Sequence, residues 1–101
     1  MAELRRKRRP SVPGEILKAL FMEPRSISVS DLASIVGISR KHMSQIVNGR
    51  ARIEPTIAAR LGKILGTGAQ IWIDLQAELD AWDAEREVRR WKPRRTFRAA
   101  A

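Results

Sequence analysis

The chain of 101 residues sets 20 Lys and Arg against 11 Asp and Glu, for a net charge of +9 and a pI near 11.4. Its length suits a single domain, its 44 % apolar content excludes wholesale disorder, and charges break every apolar run well short of the ~18 residues of a membrane span. The absence of Cys excludes a disulfide scaffold and thiol chemistry and fits a reducing cytosol, while one histidine, His42, leaves too few soft ligands for a structural zinc site.

In chain order, Met1-Ala2-Glu3-Leu4 leads into Arg5-Arg6-Lys7-Arg8-Arg9 with no apolar stretch behind it, so no signal peptide is expected. The basic run repels itself, and residues 1–11 read as a flexible arm. Pro13 suits the first turn of a helix, where its missing N–H is not needed. Ile16, Leu17, Leu20 and Phe21 follow at helical period, and Pro24 closes that helix. Ser28 with Asp31 three residues on reads as a cap. Leu32, Ala33 and Val36 then face inward, and Gly37 ends the second helix. Ser39 caps a third, with Met43, Ile46 and Val47 inside and Gly49 after it. Pro55 opens a fourth helix with Ile57, Ala58, Leu61, Ile64 and Leu65 inside, ended by Gly66. Thr67-x-x-Gln70 reads as a second capping box, starting a longer fifth helix striped by Ile71, Trp72, Leu75, Leu79 and Trp82. Nothing alternates with period two. The expectation is an all-α fold of five helices, folded over 12–85, with Pro93 stopping any continuation.

Charge divides the chain in the same way. Residues 1–9 carry a net +4 and residues 86–101 a net +6, whereas 10–85 carry −1. A basic C-terminal extension, 86–101, therefore mirrors the basic arm. Within the folded unit, Arg40, Lys41, Arg50 and Arg52 lie in a stretch without acids, and Asp74, Glu78, Asp80, Asp83 and Glu85 in one without bases. Each run taken alone reads equally as a solvated surface. Two basic ends and an internal basic cluster together point to a polyanion, because Lys and Arg neutralising phosphates supply most sequence-independent nucleic-acid affinity.

Helix, Gly37-Ile38-Ser39, helix is a helix-turn-helix arrangement over 29–48. Ala33 is small where the two helices cross, and Ile38, Met43 and Ile46 lock the second onto the first. The opposite face then presents Ser39, Arg40, Lys41, Ser44, Gln45 and Asn48 outward. In this motif the N-terminal part of the second helix reaches base edges in the major groove. Gln and Asn pair bidentately with adenine, Arg and Lys with guanine, and Ser with several bases. Arg50, Arg52 and the arm Arg5, Arg6, Lys7, Arg8 and Arg9 are expected on phosphates or in the minor groove.

Read in order, Pro13-Gly14-Glu15-Ile16-Leu17, Gly37-Ile38-Ser39-Arg40, Ile46-Val47-Asn48-Gly49-Arg50, Gly66-Thr67, Trp72-Ile73-Asp74-Leu75-Gln76-Ala77 and Asp80-Ala81-Trp82 resemble a HigA-type antitoxin. That is the virulence-associated protein I branch of the lambda-repressor-like (XRE) superfamily. The resemblance spans roughly residues 10–85. The chain differs from the usual pattern in Val12, where His is common, in Leu79, where an aromatic is common, and in its cationic tail. The resemblance implies a lambda-repressor-like domain and a homodimer on double-stranded operator DNA over its own promoter. It also implies neutralisation of a HigB-type toxin, a small basic ribonuclease of RelE-like fold that cuts messenger RNA. The acidic stretch 74–85 suits such a partner or is the solvated face of the fifth helix.

Helix five, with an apolar stripe broad for so small a domain, is expected to supply the dimer interface through Ile71, Leu75, Leu79 and Trp82. Two rival readings remain: a stand-alone XRE-type repressor, and a non-specific RNA-binding protein working through its basic ends. Enzyme readings fail on inventory, since His42 falls on the recognition helix, Asp80 and Asp83 have no pocket-forming context, and no phosphate-loop spacing occurs. No cofactor, metal or membrane partner is expected, and the expected location is the cytoplasm, associated with the nucleoid. Trp91, among Arg89, Arg90 and Lys92, suits either a late helical turn or base stacking.

Overall fold

Prolines or serines start the first four helices, and a glycine follows each of the second, third and fourth. The computed structural model, which describes residues 8–98, contains α1 (Pro13–Ile16), running directly into a π-helical turn (Leu17–Met22) and a 3-10 turn (Glu23–Arg25). α2 (Val29–Val36), α3 (Arg40–Val47), α4 (Pro55–Leu65) and α5 (Gln70–Glu87) follow. There is no strand among the described residues, so the all-α expectation holds. Ser28 Oγ accepts from the Asp31 N–H at 3.0 Å and Ser39 Oγ from the His42 N–H at 3.0 Å, each satisfying a first-turn donor that the helix itself cannot. Gly37, at φ 89°, takes the left-handed conformation between α2 and α3. The Arg60 guanidinium of α4 donates to the Val36 carbonyl at 2.9 Å, covering the end of α2.

Three local expectations are corrected, the first being Ile64 of α4, which is 38 % exposed and not inside. Leu20 does not face inward but is 63 % exposed, while Leu17 and Met22 are buried. The π turn is the reason, because widening the helix by one residue per turn brings positions five apart onto one face instead of four. Thr67 does not cap α5, whose N-cap is Ala69. Its hydroxyl instead accepts from Trp72 Nε1 at 2.9 Å, giving the one polar atom of a fully buried indole its partner.

Trp72 anchors the core with Leu17, Leu32, Met43, Ile46 and Leu61, so every helix contributes to one apolar centre. Phe21 meets Trp72 edge-on with ring centroids 5.4 Å apart. Gly62 lets the α4–α5 connection pass against α4, since a Cβ there would collide with the Gly68 backbone.

Candidate nucleic-acid interface

The position of α3 is set from behind. Met43, Ile46 and Val47 are buried against Ala33 and Val36 of α2. On the other side Gly14 of α1 lies so close that any Cβ would run into the Ile46 carbonyl. Glycine is thus required at this position by backbone-to-backbone packing. At the far end of α3, Gly49 (φ 76°) turns the chain back, and the Arg50 and Ala51 N–H groups donate to the Gln45 carbonyl at 2.8 and 3.1 Å. This satisfies an otherwise orphan carbonyl and fixes the start of the basic loop 50–52.

Of the residues expected to face DNA, Ser39, Arg40, Lys41, Gln45, Asn48 and Arg50 are exposed and Ser44 is half-buried. Two are partly engaged within the protein. Arg40 Nε donates to Ser30 Oγ at 2.9 Å, tying the guanidinium to the start of α2. Asn48 Nδ2 donates to the Ser44 carbonyl at 2.9 Å and to its hydroxyl at 3.3 Å, so this amide folds back onto α3. Arg40, Lys41 and Gln45 make the outer side of α3 a polar, cationic face. Arg5, Arg6 and Lys7 lie outside the described residues.

Arg52 and Arg9 point elsewhere. Arg52 makes a bidentate pair with Asp80 of α5, at 2.9 and 2.7 Å, and approaches Glu54 at 3.5 Å. Arg9 makes a second bidentate pair with Asp83, at 2.9 and 2.8 Å. The hydrogen bonds from Arg52 hold the Asp80 carboxyl below its ordinary pKa against the opposing effect of burial, and Gln76 adds to the shift. Arg9 lowers Asp83 in the same way. The acidic face of α5 is therefore engaged in part by arginines of the same chain.

Gln76 was not singled out by the sequence reading except within a motif. It is 6 % exposed, its Oε1 accepts from the Ile53 N–H at 2.9 Å, and its Nε2 donates to Asp80 at 3.0 Å. One buried amide thus pins the loop that follows α3 onto α5. Its signal was available: Gln76 occupies the stripe of Trp72 and Leu79 at helical spacing, a polar residue on an apolar face. Of the residues expected at a dimer interface, Leu79 is buried within the protomer, Leu75 and Trp82 are half-buried, and Ile71 is exposed.

The model of the Cro/C1-type helix-turn-helix DNA-binding domain matches residues 13–68. The chain is 38 % identical to antitoxin HigA-1 of Vibrio cholerae, over 76 % of this chain and 72 % of that one. The chain belongs to the Cro/C1-type helix-turn-helix family, in its HigA antitoxin branch. It is also 42 % identical to an uncharacterised helix-turn-helix transcriptional regulator of Haemophilus influenzae, over 81 % of this chain and 77 % of the relative. Among solved structures it is similar to Pseudomonas aeruginosa antitoxin HigA with the higBA promoter. There the TM-score is 0.77 and the identity 34 %, covering 81 % of this chain and 89 % of the other. The lambda-repressor-like fold follows, and the HigA family is one of DNA-binding proteins rather than a known family of enzymes. Its Pro-Gly-Glu-Ile-Leu opening has a physical account in this chain: Pro13 starts α1, Gly14 admits the Ile46 carbonyl, and Leu17 is buried. Among the described residues no cluster of potential metal ligands occurs, and no helix is long and apolar enough to cross a membrane.

Proposed function

We propose that this HigA-family chain binds an operator palindrome as a dimer, represses its own operon and neutralises a HigB-type, messenger-RNA-cleaving toxin in the cytoplasm. The observation that carries the DNA half of this reading is the exposed outer face of α3, with Arg40, Lys41 and Gln45 outward while Gly14 and Ile46 hold the helix from behind. Such a face suits base edges in the major groove, and Arg50 stands beside it for a phosphate. Two copies are needed because one helix-turn-helix reads only a few base pairs, and paired half-sites lie ~34 Å apart or a multiple of that. Exposed Ile71 and half-buried Trp82 and Leu75 on α5 are the apolar surface proposed for that pairing.

The toxin half rests on family membership and on the acids of α5, which suit a basic partner. Co-expression with the neighbouring gene, followed by purification and binding to the upstream DNA, tests both halves separately. A stable two-protein complex that also retards the promoter fragment is expected. Promoter binding without a protein partner leaves a stand-alone repressor and overturns the toxin half. The arm 5–9 is proposed to add affinity without sequence preference. Deleting residues 1–9 should flatten the slope of log K against log salt by about 2–4 units, at ~0.9 per phosphate, and leave operator preference intact.

A further inference from the structure

α5 ends at Glu87, and the chain then leaves the helical core. One last turn brings the Trp91 N–H to the Val88 carbonyl at 3.0 Å, after which residues 92–98 are neither helix nor strand. Pro93 forbids further helix. The segment 88–98 holds six cations, Arg89, Arg90, Lys92, Arg94, Arg95 and Arg98, and no acid. None of these cations makes an ion pair among the described residues. Two aromatic rings stand among them, and neither packs on the core: Trp91 is 66 % and Phe97 82 % exposed. The Arg95 guanidinium lies 4.6 Å from the centroid of the Phe97 ring, covering one face of it.

We propose that residues 88–98 form a binding strip for single-stranded nucleic acid, with Trp91 and Phe97 as stacking platforms and the six cations on the backbone. This is a second activity, separate from operator reading by α3. Cations alone would attract any polyanion. The aromatic faces discriminate, because unpaired bases offer a free π surface and the bases of a duplex are already stacked on each other. A lipid surface fits less well, since membrane-surface segments of this kind present an apolar helical face, and this one is not helical. The strip also starts near another cation, Arg9. Asp83, which holds Arg9, lies about one helical turn before the end of α5. The tail therefore leaves the domain close to Arg9.

Fluorescence anisotropy with labelled oligo-uridine, oligo-thymidine and a mixed-sequence duplex tests this on the full chain, comparing it with the double variant Trp91→Ala, Phe97→Ala. Because neither ring is part of the core, melting of the variant is expected to match the parent. The variant should bind the single strands about tenfold more weakly or worse, and the duplex as before. The tighter of the two homopolymers names the source as RNA or DNA, and equal binding assigns the strip to both. Unchanged binding of single strands, or an equal loss on the duplex, overturns the proposal. So does capture by phosphatidylserine vesicles that the oligonucleotides do not displace. Operator preference persisting in the double variant, and lost in Gln45→Ala, would show that the two activities fail independently.

Discussion

Helices α3 and α5 each carry a polar face, and the two faces are used in opposite directions. On α3, Lys41, Gln45 and most of Arg40 stay outward, and only Asn48 turns its amide back on its own helix. On α5, Gln76, Asp80 and Asp83 all bind the same chain, through the Ile53 N–H, Arg52 and Arg9. Of the arginines so held, Arg52 belongs to the loop that follows the recognition helix and Arg9 to the segment before α1. The lesson is that a run of acids can be neither a bare solvated face nor a partner site over its whole length. Part of α5 is an internal template that decides where Arg9 and the basic loop 50–52 stand.

The strongest way to break the contrast is to remove what α5 contributes to the core. Trp72→Ala should cost about 3–5 kcal/mol of stability, as other buried aromatic truncations do, and chemical denaturation measures it. A loss well under that range would mean that α5 is not the anchor described. Next come the two polar devices, one on each helix. Arg40→Ala or Gln45→Ala should cost about 1–3 kcal/mol of operator discrimination, with random DNA and the melting temperature nearly unaffected. Gln76→Ala should do the reverse, removing about 1–3 kcal/mol of stability by leaving the Ile53 N–H buried without a partner. If the α5 variant changes base preference and keeps its stability, the division of labour collapses.

The smallest effect is electrostatic. The Asp80 carboxyl has a folded pKa below its unfolded one, so its contribution is complete above the ordinary carboxylate range near 4 and disappears as pH falls through the depressed value. The pair with Arg52 is nearly half exposed, which limits the contribution to roughly 1 kcal/mol or less. Melting curves from pH 7 to pH 2 should therefore show a slightly smaller acid loss for Asp80→Asn than for the parent. An identical pH profile in the two would mean that solvent screens the pair completely.

Local chemistry made α2, α3 and the turn between them legible from residues alone. Ser28, Ser39 and Gly37 act within a few residues of themselves, and the structure finds each doing what its type suggests. The outward face of α3 followed from the same period. What stayed hidden depends on partners far along the chain. Arg52 meets Asp80 across 28 positions and Arg9 meets Asp83 across 74, and no spacing rule connects them. Thr67 was misread because a capping pattern and an indole acceptor use the same hydroxyl. Gly14 revealed nothing by itself, since the close approach of Ile46 exists only once α1 and α3 are packed.

The π turn in the first helix has a consequence for how this chain tolerates changes of length. Upstream of the turn, Gly14 is fitted to the Ile46 carbonyl; at its end, Phe21 is fitted to the edge of Trp72. The two contacts lie on different neighbours, and a regular α-helix would bring their azimuths together only at another residue count. The wide turn is in effect a one-residue phase joint between them. Deleting a single residue from 18–20 would relax the joint to ordinary α geometry and leave the azimuth of everything beyond it nearly unchanged, because four residues of α-helix turn through about as much as five of the wider helix. Phe21 and Met22 would then keep facing the core while α1 kept its grip on the recognition helix, whereas the same deletion within the regular helix α4 would turn everything beyond it by about 100°. The winding of that short segment, more than the identity of its exposed side chains, couples the seat of α3 to the indole at the centre of the fold.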